Sequence, residues 1–154
     1  RYPPAGEVAL HVCISHKQRR AISQAKQVEA ARGKRTVRIP AGDDAEYDAF
    51  VCTCIVGNAT SGKFVNGARY VMISFSENVF LKDEATEKEF EATLEQIGRC
   101  TLLAWAMVYN KVQGSTEEGT VMLHGCSSPY FRKCHLYVGL SRVTAGTNVF
   151  VASD

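Results

Sequence analysis

Four short runs of apolar, largely β-branched residues constrain this chain of 154 residues more than any other feature. They lie within Glu7–Ser15, Thr101–Val108, Thr120–Leu123 and Asn148–Ala152. The first has a nearly continuous apolar centre, the pattern of a strand buried on both faces. Ser15 then caps a helix from about Lys17 to Arg32, on which Ala21, Ala25, Val28 and Ala31 form a weak apolar stripe. Gly33 stops it, and Thr36–Ile39 begins the next strand before Pro40. Strand, helix, strand opens a βαβ unit and therefore predicts a parallel sheet in an α/β fold.

The period changes after Ala41-Gly42-Asp43-Asp44. Phe50–Val56, Arg69–Phe75 and Asn78–Leu81 read as short strands, separated by Gly57-Asn58, Asn66-Gly67 and Ser76-Glu77. This predicts a small antiparallel module, a five-stranded barrel, inserted into the parallel scheme. Glu84–Ile97 reads as a helix, with Phe90, Leu94 and Ile97 on one face and acids on the other. The parallel scheme then resumes with Thr101–Val108 and Thr120–Leu123, a helix ending near Arg142, and Asn148–Ala152.

The net charge of +2 does not announce a nucleic-acid binder. Its distribution is uneven, with Lys17, Arg19, Arg20, Lys26, Arg32, Lys34, Arg35 and Arg38 crowded together, either as a solvated face or as a phosphate site. The six cysteines sit mostly in apolar runs, which points to free thiols in a reducing, intracellular setting rather than disulfides. Cys126, Cys134 and His135 lack the spacing of a zinc site, so no metal is expected. No run approaches the roughly 18 apolar residues of a membrane span. Arg1-Tyr2-Pro3-Pro4 does not open a signal peptide, and such a start is expected of a chain cut from something longer.

Gly57-Asn58-Ala59-Thr60-Ser61-Gly62-Lys63-Phe64 nearly fits the phosphate-binding GxxxxGK[ST] loop. The motif needs a hydroxyl after the Lys to hold magnesium, and Phe64 stands there. It also needs a following helix, where this sequence turns back to a strand. A Gly-rich hairpin is the better reading.

In a parallel sheet, ligands sit at the carboxyl ends of the strands. Ser15–Arg20 leaves one strand end, Asn110–Thr116 leaves another, and Arg142 closes the last helix. Together they offer cations, amides and hydroxyls for phosphate oxygens, without a Gly-rich cradle or magnesium carboxylates. Trp105 and Tyr109 each read as core or as a base-stacking platform, and His124 and His135 as structural.

Tyr137-Val138-Gly139-Leu140-Ser141-Arg142-Val143 resembles motif VI of superfamily 1 helicases, the "YVALSR" signature. Ala104–Thr116 resembles their "A-x-x-x-T-x-H-K-x-Q-G-x-T" segment, motifs Va and V. Ile14–Arg19 is similar to the start of motif IV, and Asn66-Gly67 before a strand resembles the SH3-like barrel inserted by RecD-like and Pif-like members. The resemblance covers nearly the whole chain. It implies a second, C-terminal RecA-like domain at 1–40 and 99–154, with 41–98 as the inserted barrel and connecting helix.

It also implies an ATP-dependent DNA helicase, in which ATP and Mg2+ act in the full-length protein and none is bound by this chain alone. Arg142 would be the arginine finger and Arg19 a second phosphate-contacting cation. Gln113, Gly114 and Glu117 would lie by the nucleotide, and Tyr109, Asn110, Lys111, Ser115 and Thr116 would track single-stranded DNA. The partners implied are that strand and an N-terminal RecA-like domain of the same protein, with nuclear, viral and mobile-element settings all open. The family's Thr is Val108 here and its His is Asn110. These departures leave room for a second reading, a non-catalytic nucleic-acid- or protein-binding module on the same scaffold.

Overall fold

The computed structural model describes residues 8–58, 62–112, 119–143 and 149–153. In chain order the elements are β1 (Val8–Cys13), α1 (His16–Ala31), β2 (Val37–Ile39), β3 (Tyr47–Ala49), β4 (Cys54–Gly57), β5 (Arg69–Phe75), β6 (Val79–Asp83), β7 (Glu89–Ala92), α2 (Leu94–Cys100), β8 (Thr101–Leu103), β9 (Ala106–Val108), α3 (Tyr109–Val112), β10 (Thr120–Leu123), α4 (Lys133–Leu140) and β11 (Val149–Val151). The chain divides into two compact units, residues 1–22 with 105–154 and residues 23–104, so the division falls within α1.

The first unit carries a parallel sheet of order β11-β10-β1-β9. β1 is paired on both edges, with His11 opposite Met122 of β10 and Ala106 of β9. Leu10, Val12, Val121 and Leu123 form its buried core with Tyr109. This is the outcome expected of a strand that is apolar throughout, since helices or loops must cover both faces of a parallel sheet.

The second unit is antiparallel. Its main sheet has the order β7-β6-β5-β4-β8, and a separate two-stranded sheet pairs β2 with β3. Three expectations are corrected here. Val37–Ile39 does not continue the parallel sheet but pairs antiparallel with Tyr47–Ala49. Thr101–Val108 is two strands rather than one, because Leu103 pairs with Ile55 of β4 while Ala106–Val108 pairs with β1.

Glu84–Ile97 is not one helix. Asp83 Oδ1 accepts from the amides of Ala85 and Thr86, turning the chain so that Glu89–Ala92 pairs with β6. The helix starts only after Thr93, whose hydroxyl accepts from the Gln96 amide while Gln96 Oε1 accepts from the Thr93 amide. Phe90, Leu94 and Ile97 fit a helical face, but Phe90 also alternates with Glu89 and Glu91. Edge-to-face packing of Phe90 on Phe64 and Tyr70, with centroids 5.6 and 5.4 Å away, fixes the strand.

The stripe expected on α1 is also overturned. Ala21, Ala25 and Val28 are exposed, and the buried positions are Arg19, Ser23 and Gln27. Polar side chains win that face because they satisfy backbone groups. Gln27 Nε2 donates to the Asp48 carbonyl at 2.7 Å, and Gln24 Nε2 to that of Glu46 at 3.3 Å.

Helix α2 sits directly on backbone. A Cβ at Gly98 would lie 2.4 Å from the Pro40 carbonyl oxygen, and one at Gly42 would lie 1.8 Å from that of Gly98. On an open helix, Gly→Ala gains about 1 kcal/mol. Here Gly98→Ala is expected to lose about 1–3 kcal/mol by overpacking, read as a lower urea midpoint. A midpoint that stays or rises would contradict the seating of α2 on Pro40–Gly42.

Candidate nucleotide and nucleic-acid site

Because β1, β9 and β10 are parallel neighbours, the segments that follow them leave from one edge of one sheet. Ile14–Arg19, Tyr109–Val112 and the segment from His124 therefore leave side by side; Ser15–Arg20 and the start of Asn110–Thr116 are the expected segments that fall there.

Ser15 caps α1 by accepting from the Gln18 amide at 3.2 Å. One turn on, Arg19 is 1% exposed and Arg20 is exposed, so the two neighbours have different roles. Burial pushes the Cys13 thiol up to about 12, and the nearby Arg19 charge opposes that rise. Arg19 is thus a buried cation beneath the end of β1.

Tyr109 begins α3 straight from β9 and is 3% exposed. Its ring packs against Phe131 and His135, with centroids 5.8 and 5.0 Å away. Of the two readings of Tyr109, core or base-stacking platform, the structure places its ring in the core beside α4. Asn110 is exposed and Lys111 half-buried at the same strand end. Val108, the position of the family's Thr, is buried in β9. Gln113, Gly114, Ser115, Thr116 and Glu117 lie outside the described residues.

Helix α4 presents Arg142. Its start is set by His135, whose Nδ1 accepts from the Arg132 amide at 3.0 Å, so that histidine is structural. Gly139 lets the helix approach β10, since a Cβ there would lie 2.6 Å from a Leu123 methyl. At the other end the Ser141 amide bonds to the Tyr137 carbonyl at 3.0 Å. Arg142 Nε then donates to the Val138 carbonyl at 3.2 Å and to Ser141 Oγ at 3.1 Å, and Nη2 donates to Ser141 Oγ at 2.7 Å. The guanidinium is therefore held at the negative end of the helix dipole, with the planar fork that binds phosphate oxygens in pairs.

Sequence reasoning missed one feature. His11, in the middle of β1, and His124, just past β10, bring Nδ1 and Nε2 to 2.8 Å. One ring must donate and the other accept, so this pair shares a proton. The available signal was a lone histidine in an apolar strand.

Of the Gly57–Phe64 segment, Ala59, Thr60 and Ser61 lie outside the described residues. Gly57 ends β4, its amide bonded to the Ala68 carbonyl and its carbonyl accepting from the Gly67 amide ahead of the antiparallel β5. Lys63 Nζ donates to the Glu91 carbonyl at 2.9 Å, and Phe64 is buried against Tyr70. The basic cluster also disperses: Arg38 pairs with Asp48 at 3.0 Å, and Lys34 and Arg35 lie over Phe50 and Phe75.

A parallel sheet in one unit and antiparallel sheets in the other make a mixed α/β architecture. Solved structures agree. A Bacteroides Pif1 bound to ssDNA matches over 99% of this chain and 42% of its own, with a TM-score of 0.67 and 17% identity. The Pif1 helicase from Candida albicans matches over 98% of this chain and 46% of its own, with a TM-score of 0.64 and 15% identity. A Bacteroides Pif1 in complex with ADP-AlF4 matches over 97% and 41%, with a TM-score of 0.51 and 16% identity. The chain spans less than half the length of these structures and shares their fold. No protein-family model and no curated protein matches the sequence.

All six cysteines are free thiols. A buried thiol whose pKa is raised from 9.0 to about 12 stabilises the fold only while protonated. The unfolded chain releases that proton first, so stability is full below pH 9 and falls as pH rises toward 12. Burial raises Tyr47 and Cys54 too, adding to the same loss. Chemical denaturation at pH 8 and pH 10.5 should show a drop that Cys13→Ala makes smaller. An identical drop in the variant would contradict the burial of Cys13.

Proposed function

We propose that the chain is the C-terminal RecA-like domain of an ATP-dependent superfamily 1 DNA helicase of the RecD and Pif type. The observation that carries this reading is Arg142, whose guanidinium is anchored at the C-terminus of α4 in the unit that carries the parallel sheet. The matched fold supports it, including a neighbour bound to ssDNA and another in complex with ADP-AlF4.

On this reading Arg142 is the arginine finger and Arg19 a second cation of the phosphate site. The unit suits an anion. Residues 1–22 and 105–154 hold eight Lys or Arg against four Asp or Glu, and all four acids lie outside the described residues. On this reading Mg2+ and the carboxylates that hold it belong to another domain of the full-length protein. Exposed Leu136, Tyr137 and Leu140 on α4 suit packing against such an N-terminal RecA-like domain. Asn110, Lys111, Ser115 and Thr116 track single-stranded DNA, and Gln113, Gly114 and Glu117 attend the nucleotide. Tyr109 supports this surface from the core.

The antiparallel unit, residues 23–104, is the module inserted into the RecA-like scaffold, with the expected SH3-like barrel of 41–98 at its centre. A reducing, intracellular setting accords with the six free thiols. The second reading is a non-catalytic nucleic-acid- or protein-binding module on the same scaffold. It is decided by whether the full-length protein carries a phosphate-binding GK[ST] loop and an Asp-Glu pair outside these residues.

Two results test the proposal. The isolated chain should not hydrolyse ATP; turnover that disappears on Lys63→Ala would overturn it. In the full-length protein, Arg142→Ala should cut DNA-stimulated ATP hydrolysis by about 10³-fold or more while leaving the melting temperature of this fragment in place. Survival of hydrolysis would remove the finger assignment.

A further inference from the structure

The antiparallel unit holds a second cleft that the helicase reading does not use. It has a volume of about 340 Å³ and is lined by Lys34, Arg35, Phe50, Val51, Ser74 and Phe75. Lys34 and Arg35 follow α1, Phe50 and Val51 form the turn between β3 and β4, and Ser74 and Phe75 end β5.

Its chemistry is specific. Lys34 Nζ lies 4.1 Å from the centre of the Phe50 ring, and the Arg35 guanidinium lies 5.1 Å from that of Phe75. Each ring thus holds a cation in place, which reduces the ordering cost when an anion binds. Neither cation has an ion-pair partner among the described residues, whereas Arg38 close by in sequence is neutralised by Glu46 and Asp48. Val51, in the same lining, is 48% exposed and offers an apolar contact. The cleft therefore asks for a ligand with two or more negative charges spaced around an apolar group.

Nucleic acid fits this poorly. Strand-tracking proteins offer bare aromatic faces to bases and a positively charged groove to the backbone. Here Phe50 is buried, Phe75 is half-buried, and each ring already faces a cation.

We propose that the Lys34–Arg35–Phe50–Phe75 cleft docks a short acidic peptide segment of a partner protein, with carboxylates on Lys34 and Arg35 and an apolar side chain on Val51. The inference is independent of the ATP site. The test is an NMR titration of the isotope-labelled 154-residue chain with the capped heptapeptide Glu-Asp-Glu-Phe-Asp-Glu-Leu, and separately with a short oligothymidine. The peptide should shift the Val51, Ser74 and Phe75 amides saturably. The double variant Lys34→Gln/Arg35→Gln, whose side chains are exposed, should keep the folded spectrum and weaken binding at least about tenfold. The proposal fails if the peptide leaves these amides unmoved, if the double variant binds it as well as the parent, or if oligothymidine shifts the same amides with equal or greater affinity.

Discussion

The pairing of β1 on both its edges is the constraint from which the rest of the first unit follows. With β10 on one side and β9 on the other, all parallel, β1 has no edge left to solvent and no polar face to spare. Leu10, Val12 and Cys13 are fully buried as a result. The same pairing delivers three connecting segments to one edge of the sheet, where backbone ends and helix termini are free to meet a ligand. Loss of that pairing would scatter Ser15, Arg19, Asn110 and Lys111, whatever their individual chemistry.

Charge is partitioned to match. The parallel unit is net +4 and the antiparallel unit net −2, although the whole chain is only +2. An even mixture of those charges would leave no part of the molecule attractive to a phosphate backbone. Within the parallel unit the cations are also sorted by burial. Arg19 is committed to the interior beneath β1, Arg142 is half-buried and anchored to Val138 and Ser141, and Lys111 is half-buried at a strand end. That gradient suits one cation that shapes the site, one that reads a phosphate, and one that follows a strand.

Much of this was legible from residues alone. The apolar runs at β1 and β10 located the parallel sheet, and Arg69–Phe75 was found to the residue as β5. The failures share one cause, which is that contacts distant in sequence overrode a correct local pattern. Phe90 fits a helix face and a strand face equally, and only Phe64 and Tyr70 decide between them. Val37–Ile39 is a good strand, but nothing in it says that its partner is Tyr47–Ala49 rather than β1. The buried face of α1 is polar because the carbonyls of Glu46 and Asp48 need donors, which an apolar-stripe search cannot see. At the site, the departure of Ser15 and Asn110 from neighbouring parallel strands was readable. The burial of Tyr109 and the His11–His124 pair depend on register across the sheet and were not.

The central claim is that the carboxyl edge of the parallel unit handles a nucleic-acid strand, and strand binding by the purified 154-residue chain tests it most directly. Anisotropy of a labelled oligothymidine, followed over a range of salt, should reveal sequence-independent binding that weakens as salt rises. Each phosphate contact adds about −0.7 to the log–log slope, so Lys111→Ala should flatten that slope by about one such step. No detectable binding at low salt, or binding unaffected by both salt and Lys111→Ala, would contradict the account.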